Sequence, residues 1–144
     1  MLFLKTQEEI ELIRESCLLV GKALAELAKA IRPGVTTLEL DTLAEQFIHD
    51  NGAIPAFKNY RGFPNAICTS KNEEVVHGIP SKKRLKEGDI ISVDMGAKYK
   101  GFYGDMAITF AVGKISEQAG KLIEVSKRAL ENGITEARNG NRLG

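Results

Sequence analysis

Two aspartates, Asp94 and Asp105, are the residues whose type and spacing point most directly to chemistry. They fall in two stretches with strand character, Ile90–Gly96 and Phe102–Val112, joined across Lys98–Gly101. Strand alternation puts Ile91, Val93 and Met95 on one face of the first stretch, and Asp94 on the other beside Ile90 and Ser92. In the second, Met106, Ile108, Phe110 and Val112 share a face, and Asp105 points the opposite way with Ala107 and Thr109. The separation of eleven is odd, so a hairpin with a two- or four-residue loop sets the two carboxylates directly opposite each other. Their Cβ atoms are then about 4.5–5.5 Å apart. Like charges so close need compensation: one carboxylate keeps a proton, or both bind cations. A pair of divalent ions roughly 3.5–4 Å apart is the arrangement two such aspartates could bridge. Spacing alone leaves the plainer alternative open, two acids on a solvated sheet face, and a three-residue loop breaks the pairing.

His77, in Val75-Val76-His77-Gly78-Ile79-Pro80, follows an apolar pair and precedes a turn. A histidine there could orient a carbonyl or move a proton near neutral pH, or simply end a strand. Phe57, Tyr60 and Phe63 lie in an irregular segment from Pro55 to Pro64, and together with Cys68 could line an apolar pocket or fill core. His49, near the end of a helical pattern, is read as a surface residue or cap. The glycines at 96, 101 and 104 fit no phosphate-cradling motif. Lys82-Lys83-Arg84 with Lys86 reads as a solvated loop, with an acidic or RNA partner as the alternative.

These residues must be positioned by elements that the pattern also predicts. Ile10, Ile13, Val20, Leu24 and Leu27 recur at helical spacing after a Thr6–Glu9 capping box, and the helix stops before Arg32-Pro33-Gly34. Thr37 is read as the N-cap of a second helix through about His49, carrying Leu40, Leu43, Ala44 and Phe47. Ala66–Ser70 and Glu74–His77 look like short strands, and a third helical pattern begins near Ser116. Ala23-Leu24 and Arg32-Pro33-Gly34 are matched at one fixed offset by Ala129-Leu130 and Arg138-Asn139-Gly140, so the expectation is that a second copy of the opening unit starts where the sequence stops. At 144 residues the chain suits a single domain, and 43% hydrophobic residues can bury an ordinary core. A net charge of +1 argues against a dedicated nucleic-acid binder. No apolar run approaches the length that crosses a bilayer, and Met1-Leu2-Phe3-Leu4 runs into Lys5 and acidic residues rather than a secretory signal. Cys17 and Cys68 make no metal-binding or disulfide pattern, so a reducing, cytoplasmic setting is expected.

Several ordered segments resemble the type I methionine aminopeptidases. They are Tyr60-Arg61-Gly62-Phe63-Pro64, Ile67-Cys68-Thr69-Ser70, Asn72-Glu73-Glu74-Val75-Val76-His77-Gly78-Ile79-Pro80, Leu85-Lys86-Glu87-Gly88-Asp89-Ile90, Val93-Asp94 and Gly101-Phe102-Tyr103-Gly104-Asp105. The resemblance runs over essentially the whole chain. It implies the α/β (α+β) pita-bread fold, with 1–144 as the first pseudo-symmetric half and the start of the second. It further implies two divalent metal ions (cobalt, manganese, iron or zinc), with Asp94 chelating one and Asp105 bridging both. His77 would contact substrate at the scissile amide as the catalytic histidine, and Tyr60, Phe63, Cys68 and Phe57 would line the methionine pocket. The substrate implied is the N-terminus of nascent polypeptides, with ribosome association left open and no nucleic-acid specificity or membrane partner.

In that family a further histidine and two glutamates complete the metal site from the second half, together with a glutamate that assists proton transfer. After Asp105 this sequence has only Glu117, Glu124, Glu131 and Glu136 as acids and no histidine. The expectation is therefore that this chain alone is inactive. Leu2 is bulky, and the family prefers small second residues, so Met1 should be retained. Two other readings stand beside the first: an Xaa-Pro aminopeptidase or prolidase-type enzyme of the same fold, and a non-catalytic relative used as a binding module.

Overall fold

The computed structural model describes residues 3–142 and contains three long helices and a four-stranded antiparallel sheet. Met1 and Leu2, on which the signal and methionine-retention readings partly rest, lie outside the described residues. Helix α1 (Gln7–Ala30) starts at the expected capping box, with Glu9 N donating to Thr6 Oγ1 at 3.2 Å and Thr6 N to Glu9 Oε2 at 2.9 Å. Helix α2 (Thr37–Asp50) has the same device one residue earlier than expected: Thr36, not Thr37, is the N-cap, reciprocally bonded to Glu39. The difference follows from the box rule, since Glu39 stands three residues after Thr36.

The sheet is built on β3 (Ile90–Tyr99). On one side it pairs with β4 (Phe102–Ala111), and on the other with β1 (Ile54–Pro55) and then β2 (Ile67–Lys71) along its length. Ile91, Val93, Met95 and Ala97 are buried beneath α1 and α2, whose Val20, Leu24, Leu27, Leu40, Ala44 and Ile48 complete the core. The expected face of β3 is therefore the observed one. In β4 the pattern holds at Met106 and Phe110, which pack against the core, whereas Ile108 is 40% exposed and Ile10 of α1 is 39% exposed. Helix α1 presses directly on β4 at Gly104, where an added Cβ would stand 2.4 Å from the Ser16 backbone. The buried Ser16 hydroxyl reaches the carbonyls of Tyr99 and Phe102 at 3.2 and 3.1 Å, tying the helix to both sides of the hairpin turn.

Two expectations are corrected. Glu74–His77 is not a strand; β2 ends at Lys71, and residues 72–80 form a loop with Asn72 and His77 at positive φ, 52° and 58°. That loop instead closes on the edge of β2, Thr69 N donating to Gly78 O at 2.8 Å. The β3–β4 loop is Lys100-Gly101 rather than the four residues from Lys98, because the ladder continues to Tyr99↔Phe102. Helix α3 (Glu117–Glu136) begins after the N-cap Ser116. It stops at the same offset from α1's end that relates the two sequence copies, and Gly34 and Gly140 both have φ 93°. Unlike α1, α3 buries none of its residues, leaving Leu122, Leu130 and Ile134 59–65% exposed.

Candidate active site

The face of the sheet turned away from α1 and α2 carries the two aspartates. The observed register pairs Asp94 with Ala107 and Asp105 with Gly96, so the carboxylates are diagonal neighbours and not directly opposed. Diagonal positions lie on the same face at roughly 7–8 Å between backbones. The shift follows from the two-residue loop being centred on Lys100-Gly101. Shared facing survives the correction; the close head-on contact does not. Across the other edge of β3, Cys68 of β2 is the direct partner of Asp94.

A cavity of about 530 Å³ opens at this point. It is lined by Asp94, Asp105, His77, Cys68, Phe57, Tyr60 and Phe63, which brings together every residue singled out in the sequence as a site candidate. Arg61, Gly62, Pro64 and Ile79 complete the wall and were not singled out. Arg61 carries a positive φ of 49° between Asn59 (67°) and Gly62 (84°), and its guanidinium stands 5.4 Å from the Tyr60 ring centre. Backbone shape, rather than side-chain chemistry, brings Arg61 to the cavity, so residue type gave no signal for it. His49 lies outside the cavity, exposed near the end of α2 and 3.7 Å from Glu45.

Local folding explains how His77 arrives. The Gly78 backbone runs so close to β2 that an added Cβ would sit 2.1 Å from Thr69 O, and Gly78 N donates to Ser70 Oγ at 3.2 Å. Asn72 closes the base of the loop by accepting from Ile90 N and donating to Asp89, each near 3 Å. The exposed His77 is thereby held at the rim, near enough to Asp94 to favour its ionised form.

The electrostatics are those of an undercompensated anionic pair. Burial, and then the charge of Asp105, push the Asp94 carboxyl above its ordinary range, with His77 only partly opposing them. Burial and then Asp94, Asp105 and Asp41 push the Cys68 thiol up to about 11, so it is neutral at physiological pH. The ion pairs found among the described residues involve neither Asp94 nor Asp105. Two carboxylates sharing one face without a protein cation are a donor set that fits hard divalent ions. They are a partial set: no group of three or more candidate ligands converges among the described residues.

Residues 11–144 match the metallopeptidase family M24. The chain is 57% identical to a methionine aminopeptidase of Clostridium acetobutylicum, over 99% of its own length and 58% of that protein's. It superposes on the crystal structure of methionine aminopeptidase from Rickettsia prowazekii with a TM-score of 0.92 at 38% identity, covering 93% of this chain and 54% of that one. The prolidase from Pyrococcus horikoshii gives a TM-score of 0.82 at 26% identity, with 93% and 37% covered. The chain thus spans little more than half the length of the curated relative it matches.

Proposed function

The chain belongs to metallopeptidase family M24, and from that premise we propose that it is the N-terminal portion of a single pita-bread catalytic domain that removes N-terminal methionine from newly made polypeptides. The observation that carries this reading is the convergence of one apolar pocket and one acidic pair on a single cavity. Asp94 and Asp105 would hold divalent ions, two in number and of cobalt, manganese, iron or zinc type. When bound, such ions would polarise a peptide carbonyl and lower the pKa of water.

The chain's own residues supply the rest. Phe57, Tyr60 and Phe63 offer ring edges and faces to a methionine thioether, a contact worth about 0.3–1.5 kcal/mol each. Cys68, neutral and buried, forms a small apolar floor beside Asp94. Phe57, Phe63, Pro64, Cys68 and Ile79 make an apolar lining beside the aspartates and His77, so the side chain of the first residue is desolvated while its amide end meets hydrogen-bonding groups. His77, fixed at the rim by the Gly78 contact, can donate to the scissile carbonyl and stabilise charge developing on it. A cytoplasmic setting suits a substrate emerging from synthesis. Among the described residues no helix is long and apolar enough to cross a membrane.

The test is a hybrid in which residues 1–144 are joined to the remaining portion of the Clostridium acetobutylicum relative. Expected are release of methionine from Met-Ala-Ser, dependence on added divalent ion, loss with Asp94→Asn or Asp105→Asn, and no cleavage of an Xaa-Pro peptide. Preference for the Xaa-Pro peptide would replace this reading with the prolidase-type one. A folded hybrid that binds neither manganese nor cobalt would favour a non-catalytic module.

A further inference from the structure

Asp41 is buried on the core side of α2, 5% exposed, and pairs with no cation among the described residues. Its carboxylate is held by three N–H groups from consecutive residues. Oδ1 accepts from Ala66 N at 2.9 Å and Ile67 N at 3.1 Å, and Oδ2 accepts from Asn65 Nδ2 at 2.6 Å. Bonds to an ionised acceptor are about twice as strong as neutral ones. Ala66 and Ile67 are fully buried, so the carboxylate is the acceptor their N–H groups would lose without it.

The position of these three residues gives the contact its consequence. Asn65, Ala66 and Ile67 are the whole link between the aromatic wall ending at Phe63-Pro64 and the floor residue Cys68. The other end of the wall is fixed separately. Ala56 N donates to Gly96 O at 2.9 Å, and Lys58 is paired with Glu45, one helical turn beyond Asp41 on α2. Between the two anchors, three residues (Asn59, Arg61 and Gly62) have positive φ, a backbone that relaxes unless its ends are held.

We propose that Asp41 is a positioning residue for this pocket: by accepting from Asn65, Ala66 and Ile67 it fixes the aromatic wall against Cys68 and so sets the width of the space that receives the substrate side chain. The proposal deepens the reading of this cavity as a methionine pocket and rests on it. Its test needs no catalysis.

The experiment uses the 144-residue chain in EDTA and follows iodoacetamide alkylation of Cys68 and Cys17 by peptide mass spectrometry. Cys17, on α1, serves as an internal reference. Asn65→Ala removes the donor to Asp41 Oδ2 and keeps the Asp41 charge, which itself raises the Cys68 thiol, so its effect reads position and not titration. Expected is a Cys68 rate about tenfold higher, of the order that losing one charge-assisted hydrogen bond is worth, with Cys17 unchanged. An unchanged Cys68 rate or a parallel rise at both cysteines would each overturn the proposal. If Asn65→Ala does not fold, Asn65→Ser takes its place: a rise at Cys68 alone supports the proposal and no change overturns it. Methioninamide as a probe should protect Cys68 in the original chain and protect it less in Asn65→Ala. Absence of protection in the original chain, beside the Cys68 response to Asn65→Ala, would sink the methionine reading and leave the positioning of Cys68 supported.

Discussion

At Asp94, burial and a neighbouring carboxylate set how the fold responds to pH. The folded-state pKa of Asp94 lies above the ordinary 3.8 because burial and then Asp105 disfavour its charge. Between those two values the folded chain binds more protons than the unfolded one, so stability falls as pH rises through that window and the penalty persists at neutrality. Asp94→Asn is therefore expected to raise the melting temperature of the metal-free chain at pH 7 and to have little effect below pH 3.8. Melting curves at the two pH values check it, and equal effects at both would rule out the electrostatic cause. The same variant should lose manganese binding by calorimetry. Gly78→Ala probes His77 from behind. Its Cβ would meet the Thr69 carbonyl at 2.1 Å, and relief of such overpacking typically costs about 1–3 kcal/mol. Denaturant melts should show that loss, and the resonances of His77 should shift because its loop is pushed off β2. Both positions were legible as types in the sequence, but their relations were not. Alternation gave the correct face for each aspartate, whereas the register depended on where the turn residues Lys100-Gly101 fell, a choice of one residue that spacing cannot make.

The elements differ sharply in how much they bury, and their expected stabilities differ with it. Helix α1 contributes five fully or nearly fully buried apolar side chains, Leu19, Val20, Ala23, Leu24 and Leu27, and α2 contributes Leu40, Ala44 and Ile48. Helix α3 contributes none, though its sequence is as amphipathic as theirs. Local openings cost little where few apolar contacts are lost. Amides of α3 are thus expected to exchange with deuterium orders of magnitude faster than those of α1, and removing residues 117–144 should leave the melting temperature of the remainder nearly unchanged. Slow exchange in α3, or collapse of the shortened chain, would mean that α3 packs on something in solution. Apolar periodicity makes all three helices readable, and the Thr6–Glu9 capping box fixes the start of α1, whereas the start of α2 is read one residue late. Val75-Val76 has β character and so suggests a strand over Glu74–His77, yet both valines are exposed and the segment is shaped instead by Asn72, Gly78 and the edge of β2.

On the scale of the whole molecule, the chain's partial donor set governs what it can do by itself. Two aspartates on adjacent strands bring two negative charges to the cavity, and no third candidate ligand joins them among the described residues. Divalent-ion affinity grows with the number and charge of oxygen ligands, so the 144-residue chain is expected to bind manganese no more tightly than about 10⁻⁴ M. Binding at that level stabilises a fold by RT ln(1 + [L]/Kd), which is small at micromolar metal and measurable only at millimolar concentrations. The expected outcome is a melting temperature that is flat with micromolar manganese, rises in millimolar manganese, and loses that rise in Asp105→Asn. Methionine release from Met-Ala-Ser should be undetectable under both conditions. Tight binding with turnover by the isolated chain would show that ligands come from elsewhere, a second copy being the simplest source, and sedimentation at the same metal concentrations would reveal it. The chain spans 58% of the length of its Clostridium relative, and among the described residues the fold brings the acidic pair and the pocket to one cavity without a third ligand, which is the arrangement weak binding without turnover expects.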